Sequence, residues 1–502
     1  MQLPTVCEVP GGTLVREKRP FGVFRNIFRH APRFHAIFVW SFLLSLFSLA
    51  IRQSVSIDPD FWWHLKTGQY IAQTGIIPHI DLFSFTRTGA EWISHEWLSE
   101  LAIYLSFRVG GWVGPLLLFG NIITATLGIC YWRSDGKPFI AALTTFMAAA
   151  ASAPLFGMRP QMFTLLLSSV FIAVLDCYLR ENKRRFLGFL PLAMLMWVNL
   201  HAGFALGPAL LVLYIAMAVI DGKSNQIKPL VITLAGCVAV IPLNPHGLRM
   251  FSYPFETVSS QAMQSLIQEW LSPNFHQFRF LPLAFLMLAT FATIALSPQR
   301  IKVSELLGLM VLTFAALRSG RHIPIFAIFA APILAKYLSQ LSASQSRVRI
   351  AVRPATAASV IVSLALLSLP SIVVVRQLVD FNAHQSTYES QLYPSAAVNV
   401  IKDQQLQGPI FNDYNWGGYV IWRLYPERKV FIDGRADVYR DAFLFDYVST
   451  YNAAPTWRTQ FQRFGIQTVV IDPQAPLATL LRRETGWRKM FEDTRAVVFA
   501  RE

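Results

Sequence analysis

A polytopic α-helical membrane domain followed by a small α/β domain outside the membrane is the architecture this sequence predicts, and three observations predict it. Of 502 residues, 54% are hydrophobic and only 15% are charged, against about 25% charged in soluble domains. Several windows of roughly 17 to 22 residues carry no charge, enough to cross about 30 Å of hydrocarbon at 1.5 Å per residue. Beyond residue 378 such windows stop, and short apolar runs alternate with polar turns.

The net charge is +15, from 44 basic and 29 acidic residues. The basic residues fall in the N-terminal tail and in short loops, which suits anionic headgroups and the positive-inside rule. No clustered basic face is offered to nucleic acid, so membrane lipids are the expected contacts and nucleic acid is not. Cys130, Cys177 and Cys237 lie in apolar runs and Cys7 in the tail, which reads as small apolar side chains rather than a disulfide framework.

Residues 1–33 form a basic tail, placed in the cytoplasm because Lys and Arg near the first span set orientation. The first span, Phe34–Ile51, is longer than the core of a cleavable signal and lacks a small-residue cleavage site, so it reads as an anchor. It delivers an outer loop, residues 52–111. Within that loop Glu96–Phe107 covers only about 18 Å as a helix, too short to cross, and reads as a juxtamembrane helix lying in the interface. Counting it as a span would put the basic cluster Arg180–Arg185 outside. The remaining spans are Trp112–Tyr131, Phe139–Phe156, Met162–Leu179, Phe186–Leu200, a return to Asp221, Leu230–Leu243, Phe280–Leu296, Val303–Leu317, Ile323–Leu338 and Ala355–Val375. About eleven spans leave residues 379–502 on the outer side. There Pro409–Phe411, Lys429–Ile432, Thr468–Ile471 and Ala496–Phe499 predict strands, and Tyr419–Leu424, Pro455–Phe464 and Pro476–Glu484 predict helices.

The unusual polar residues gather on the outer side of this layout. Asp58 and Asp60 flank a proline, which presents them from a turn rather than a helix interior. They serve either as a general base or oxygen ligands for a divalent cation, or, for Asp60, as the cap of the helix beginning at Phe61. His64 follows in that helix. His95-Glu96 before Trp97 reads as substrate positioning or as a helix cap with a Trp anchor. Arg159, at the outer end of its span, offers a guanidinium fork suited to phosphate or snorkels to the interface. Arg318, Arg321 and His322 lie within five positions at an outer boundary, where the positive-inside rule disfavours them. Asn199, His201, Asn244 and His246 sit at outer span ends, where they bond sugar hydroxyls or form turns. Glu269 beside Trp270 is a second carboxylate for a metal or a solvated loop acid. In the outer domain, Asn412 to Tyr419 and Asp433-Gly434-Arg435 follow expected strands, where ligand sites and tight turns both occur.

The Asp-x-Asp after the first span, the juxtamembrane His-Glu-Trp, the number of spans and the trailing outer domain resemble the GT-C superfamily of membrane glycosyltransferases, which includes protein O-mannosyltransferases, lipid A aminoarabinose transferases and oligosaccharyltransferase catalytic subunits. The resemblance covers the architecture of nearly the whole chain. It departs at Trp97, where related enzymes often have proline. It implies that Asp58 or Asp60 is a catalytic base or metal ligand; magnesium and manganese are the candidate divalent cations, and the sequence leaves metal dependence open. It also implies a polyprenyl-phosphate-linked sugar as donor and a glycan, lipid or protein as acceptor; the location assumed with it is a bacterial cytoplasmic membrane. The segment Asn412-Asp413-Tyr414-Asn415-Trp416-Gly417-Gly418-Tyr419 is similar, in degenerate form, to the acceptor-recognition motif of oligosaccharyltransferases. The alternative to a transferase is a carrier of lipid-linked glycans that uses the same outer cavity without chemistry.

Overall fold

The structure is a computed structural model that describes residues 33–134, 137–345 and 357–502. The basic tail before Arg33, the Asp135-Gly136 turn and the cationic loop containing Arg347, Arg349 and Arg353 lie outside the described residues. Every interval expected to span is helical: α1 Arg33–Ser54, α4 Val113–Arg133, α5 Pro138–Ser152, α6 Gln161–Glu181, α7 Phe189–Leu200, α8 Leu206–Ile220, α9 Ser224–Ala239, α12 Leu281–Leu296, α13 Val303–Arg318, α14 Ile323–Gln345 and α15 Ala357–Leu392. Among the described residues, nine helical segments are long and apolar enough to cross a membrane. The exceptions among the expected spans are α7, at 12 residues, and α13, at 16. The last helix runs well past the expected end at Val375 and through the boundary drawn at residue 378.

α14 is the axis of the bundle, with 78% of its apolar window buried, and it packs against α5, α12 and α13. Lipid tails are as apolar as leucine, so tight packing needs small residues that let backbones approach. Ala327, Ala330 and Ala331 on α14 and Ala148 and Ala149 on α5 are all fully buried.

Two shorter helices shape the loop end of the bundle: α2, Phe61–Thr74, and α3, Trp97–Gly110, which pack side by side. α3 does not figure among the nine, in keeping with its expected short length. Two more, α10 Arg249–Ser259 and α11 Gln261–Leu266, lie in the loop after α9. The C-terminal part adds α16 Ser395–Asp403, α17 Gly417–Leu424, α18 Ala436–Tyr451, α19 Trp457–Arg463 and α20 Pro476–Leu481 around a four-stranded sheet. Its strands are β1 Ile410–Asn412, β2 Thr468–Ile471, β3 Trp487–Glu492 and β4 Val497–Arg501, in the order β1-β2-β4-β3. β1 and β2 are parallel and the other pairings antiparallel.

One expected strand is corrected. Lys429–Ile432 forms no ladder of its own; only Val430 bridges, to Ile410 on one side and to Ser84 of the first loop on the other. Val430 N–H donates to Phe83 O at 3.0 Å, and Phe85 N–H donates to Val430 O at 3.1 Å. The first loop thus pairs with the edge of the C-terminal sheet. A buried ion triad reinforces the seam: Arg435 lies 2.7 Å from Asp433 and 2.8 Å from Asp81, with its guanidinium over the Trp92 ring.

Candidate functional site

Asp58-Pro59-Asp60 forms the turn into α2. Asp58 Oδ1 accepts the Asp60 N–H at 2.9 Å, and the Trp63 indole donates to Asp60 Oδ1 at 3.1 Å. Asp60 occupies the cap position of α2, but its side chain makes no capping bond there. Two glycines of the C-terminal domain close over this turn. A Cβ on Gly434 would collide with Asp60 Oδ1, and one on Gly418 would stand 2.8 Å from Pro59 O, so only glycine permits this approach.

The second carboxylate oxygen of Asp58 lies 3.3 Å from Arg159 Nη1. Arg159 Nη2 bonds Glu269 Oε1, and Arg321 Nε donates to Glu269 Oε2 at 3.2 Å. Glu269, from the distant loop before α12, therefore bridges two arginines contributed by two different helix tips. Arg321 also stacks on Trp270, 4.6 Å from the ring centre. Burial pushes Glu269 up, but the two guanidinium groups outweigh it and hold the carboxyl below its ordinary range. Asp60 goes the other way: burial, with Asp58 adding repulsion, raises it from 3.8 to about 7. Asp58 is paired with Arg159, and Asp60 can take up or give up a proton near neutrality.

Beside this network lies a recess lined by His64, His95, Glu96, Glu100 and His201. Glu100 follows Glu96 by four residues, which puts both on one face of α3. Burial would raise Glu96, but His95 and His64 bring it down to about 2, whereas burial lifts Glu100 above its usual range. Burial also pushes His201 down to about 3. Its Nδ1 accepts from Gly203 N–H at 3.0 Å, which leaves Nε2–H as the donor of the neutral ring. Tyr253 OH donates to Asp437 Oδ2 at 3.3 Å at the rim.

The recess joins a cavity of about 570 Å³ lined by Asp58, Asp60, Glu269, Tyr414 and Tyr447. It also joins an apolar groove of about 400 Å³ that runs past Leu206, Pro254 and Val258 to Arg318 and His322. Arg321 lines all three. Of the residues singled out from the sequence, Asp58, Asp60, His64, His95, Glu96, Arg159, His201, Glu269, Arg318, Arg321, His322 and Arg435 meet around this connected space. The others bond elsewhere. Asn244 Nδ2 donates to His95 O and Val198 O, and Asn199 Oδ1 accepts from the Trp97 indole at 2.8 Å. The His246 ring sits against His79, 4.6 Å between centres. Asn412 ties Ile432 to β1, and Asp433 is spent on Arg435 and Tyr439. Sequence reasoning missed Glu100, Tyr253 and Asp437; of these, only Glu100 left a signal, its spacing from Glu96.

A magnesium or manganese ion, the candidate cation for the first-loop acids, does not fit these residues. Such ions take several oxygen ligands. Here Arg159 already stands between Asp58 and Glu269, filling the place between those acids with a guanidinium.

No family model and no curated protein matches the sequence. Solved structures do match in fold. ArnT from Cupriavidus metallidurans, bound to undecaprenyl phosphate, is 14% identical with a TM-score of 0.51, over 93% of this chain and 97% of that one. The archaeal oligosaccharyltransferase AglB from Archaeoglobus fulgidus, in complex with an inhibitory peptide and a dolichol-phosphate, is 11% identical with a TM-score of 0.53, over 93% and 74%. The A. fulgidus oligosaccharyltransferase tethered to an acceptor peptide containing the NVT sequon is 12% identical with a TM-score of 0.51, over 96% and 75%. The chain is a polytopic α-helical membrane protein that shares its fold with ArnT and AglB.

Proposed function

We propose that this protein transfers a sugar from a polyprenyl-phosphate donor to an acceptor on the outer face of the membrane. One observation carries the reading: acids of the first loop and arginines from distant helix tips share a cavity that continues into an apolar groove. ArnT and AglB, with polyprenyl-type phosphates bound, have the same fold and support it.

The chain's own residues supply each part of the chemistry. The lipid enters along the groove, and the donor phosphate replaces Glu269 on Arg159 and Arg321, whose donors are matched to a phosphate. The acceptor is a hydroxyl or amide of a glycan, lipid or protein. Asp60 removes its proton as the acceptor atom bonds to the anomeric carbon and the bond from that carbon to the phosphate oxygen breaks. The proton ends on Asp60, and the electron pair leaves with polyprenyl phosphate. Arg159 and Arg321 stabilise the charge that develops there. A base with a pKa near 7 is well matched to this step. Asp58 keeps Arg159 in place and keeps Asp60 basic.

Membranes containing the protein and a radiolabelled polyprenyl-phosphate sugar test the proposal. Label moving to an acceptor, and failing to do so with Asp60→Asn, supports transfer. Label crossing the bilayer unchanged replaces this reading with the carrier.

A further inference from the structure

We propose that a cleft at the end of the bundle away from the first loop, rimmed by Arg180, Lys223 and Lys302, holds the phosphate of one anionic phospholipid. The inference does not rest on the transferase reading. It starts from convergence: the last turn of α6, the turn after α8 and the start of α13 each bring one of these cations to the same cavity. α8 packs against both α6 and α13, so the bundle itself holds the three side chains in one place.

The floor of the cleft is balanced in charge and its rim is not. Beneath the rim, Asp176 is bonded to Arg133 and Tyr214, and Glu305 to Lys336 and Tyr337. The other acid lining the cleft, Asp221, lies 3.8 Å from Lys223, whose ammonium donates to Leu179 O at 2.6 Å. Lys302 has neither a hydrogen bond nor an ion pair among the described residues. Burial pulls Lys223 below its ordinary range, and Lys302 and Arg180 add repulsion that Asp221 opposes. One anion shared between such cations turns that repulsion into attraction.

Size and surroundings then give the class of ligand. The enclosed space is about 50 Å³, room for a few water-sized groups, which suits a phosphate and shuts out a sugar ring or a nucleotide. Next to the cations, Val219 and Ile220 at the end of α8 and Val303 at the start of α13 are exposed. They leave an apolar wall for acyl chains. A phosphate that carries hydrocarbon matches both layers, whereas free phosphate matches only the first. Basic pockets between helix ends hold anionic headgroups in this way.

The test uses full-length protein in detergent, stripped of copurified lipid and titrated with phosphatidylglycerol, phosphatidylcholine or inorganic phosphate, with bound lipid counted by native mass spectrometry. One tightly held phosphatidylglycerol per chain is expected, together with a rise in unfolding temperature that phosphatidylcholine does not give. Inorganic phosphate at equal concentration should not displace it. Lys302→Gln should weaken binding about 5-fold, and Lys302→Gln with Arg180→Gln about 30-fold, from about 1 kcal/mol per cation near the surface. Arg185→Gln, at the same end but stacked on Phe186 outside the cleft, should change it by less than about twofold. Lys302 is exposed, so its replacement leaves the fold intact. Equal retention of phosphatidylcholine, displacement by inorganic phosphate, or equal weakening by Arg185→Gln and Lys302→Gln would overturn the site.

Discussion

The bundle carries buried ion networks at both ends, and they are built differently. At the end away from the first loop, Arg133 gives Nε and Nη2 to Asp176 at 3.1 and 2.8 Å and Nη1 to Ile328 O at 2.6 Å. Tyr214 OH donates to the remaining oxygen of Asp176 at 2.6 Å. Next to it Lys336 and Tyr337 both bond Glu305, and the space alongside is only about 50 Å³. Those charges are saturated by one another. At the loop end, two arginines share one glutamate, Arg159 Nε is buried with no partner among the described residues, and Asp60 faces a cavity of about 570 Å³. A closed network locks helices together. An open one keeps charge in reserve for a ligand.

The sharpest way to break this contrast is to neutralise one acid at each end. Asp60→Asn should cut transfer by about 10²- to 10⁴-fold while leaving the unfolding temperature near that of the wild type. Asp176→Asn should destabilise the protein by about 3–5 kcal/mol, because it strands a buried arginine, and should change turnover per folded molecule little. Equal losses of turnover in both would erase the distinction. Next in size, Arg321→Gln should weaken binding of polyprenyl phosphate by about 10- to 100-fold, the loss of one charge-assisted hydrogen bond. Glu269→Gln should tighten it, because the competing carboxylate charge is gone; equilibrium binding of the labelled lipid phosphate measures both.

Smaller effects follow from protonation. The pKa of Asp60 is raised from 3.8 to about 7, so kcat/KM should climb roughly tenfold per pH unit below neutrality and level off above it. Stability has the opposite sign. The native state holds this proton more tightly than the unfolded chain, so its contribution is complete below about pH 4 and is lost as pH rises through 7. Unfolding at pH 5 and pH 8 should show the wild type losing more stability than Asp60→Asn. The smallest change expected is with Trp63→Phe. Removing the indole that donates to Asp60 should move the rate midpoint up by about half a pH unit.

The membrane helices were legible because a span is a local property: a charge-free window long enough for the bilayer, with basic residues at one end. β3 was missed because Trp487-Arg488-Lys489-Met490-Phe491-Glu492 does not alternate apolar with polar, and β3 is the outermost strand of the sheet, with mixed burial. The first half of α18 carries Asp437, Arg440 and Asp441, which gave no apolar stripe to read. For the site, the sequence shows that Asp58 and Asp60 lie next to a span, and the expected topology puts Arg321 where cations are disfavoured. It does not show that Glu269 sits between Arg159 and Arg321, because that depends on how distant helix tips meet. Nor does it separate Asp433, buried in a structural triad, from Arg435, which both closes that triad and reaches the recess wall.

Gly434 seats Asp60, and Val430 pairs with the first loop, so residues made early in synthesis wait for residues made near its end. A nascent chain that has inserted every bundle helix still lacks the lid over its acid pair. Truncations just before Val430 should therefore behave as null alleles even though the whole membrane bundle has been produced.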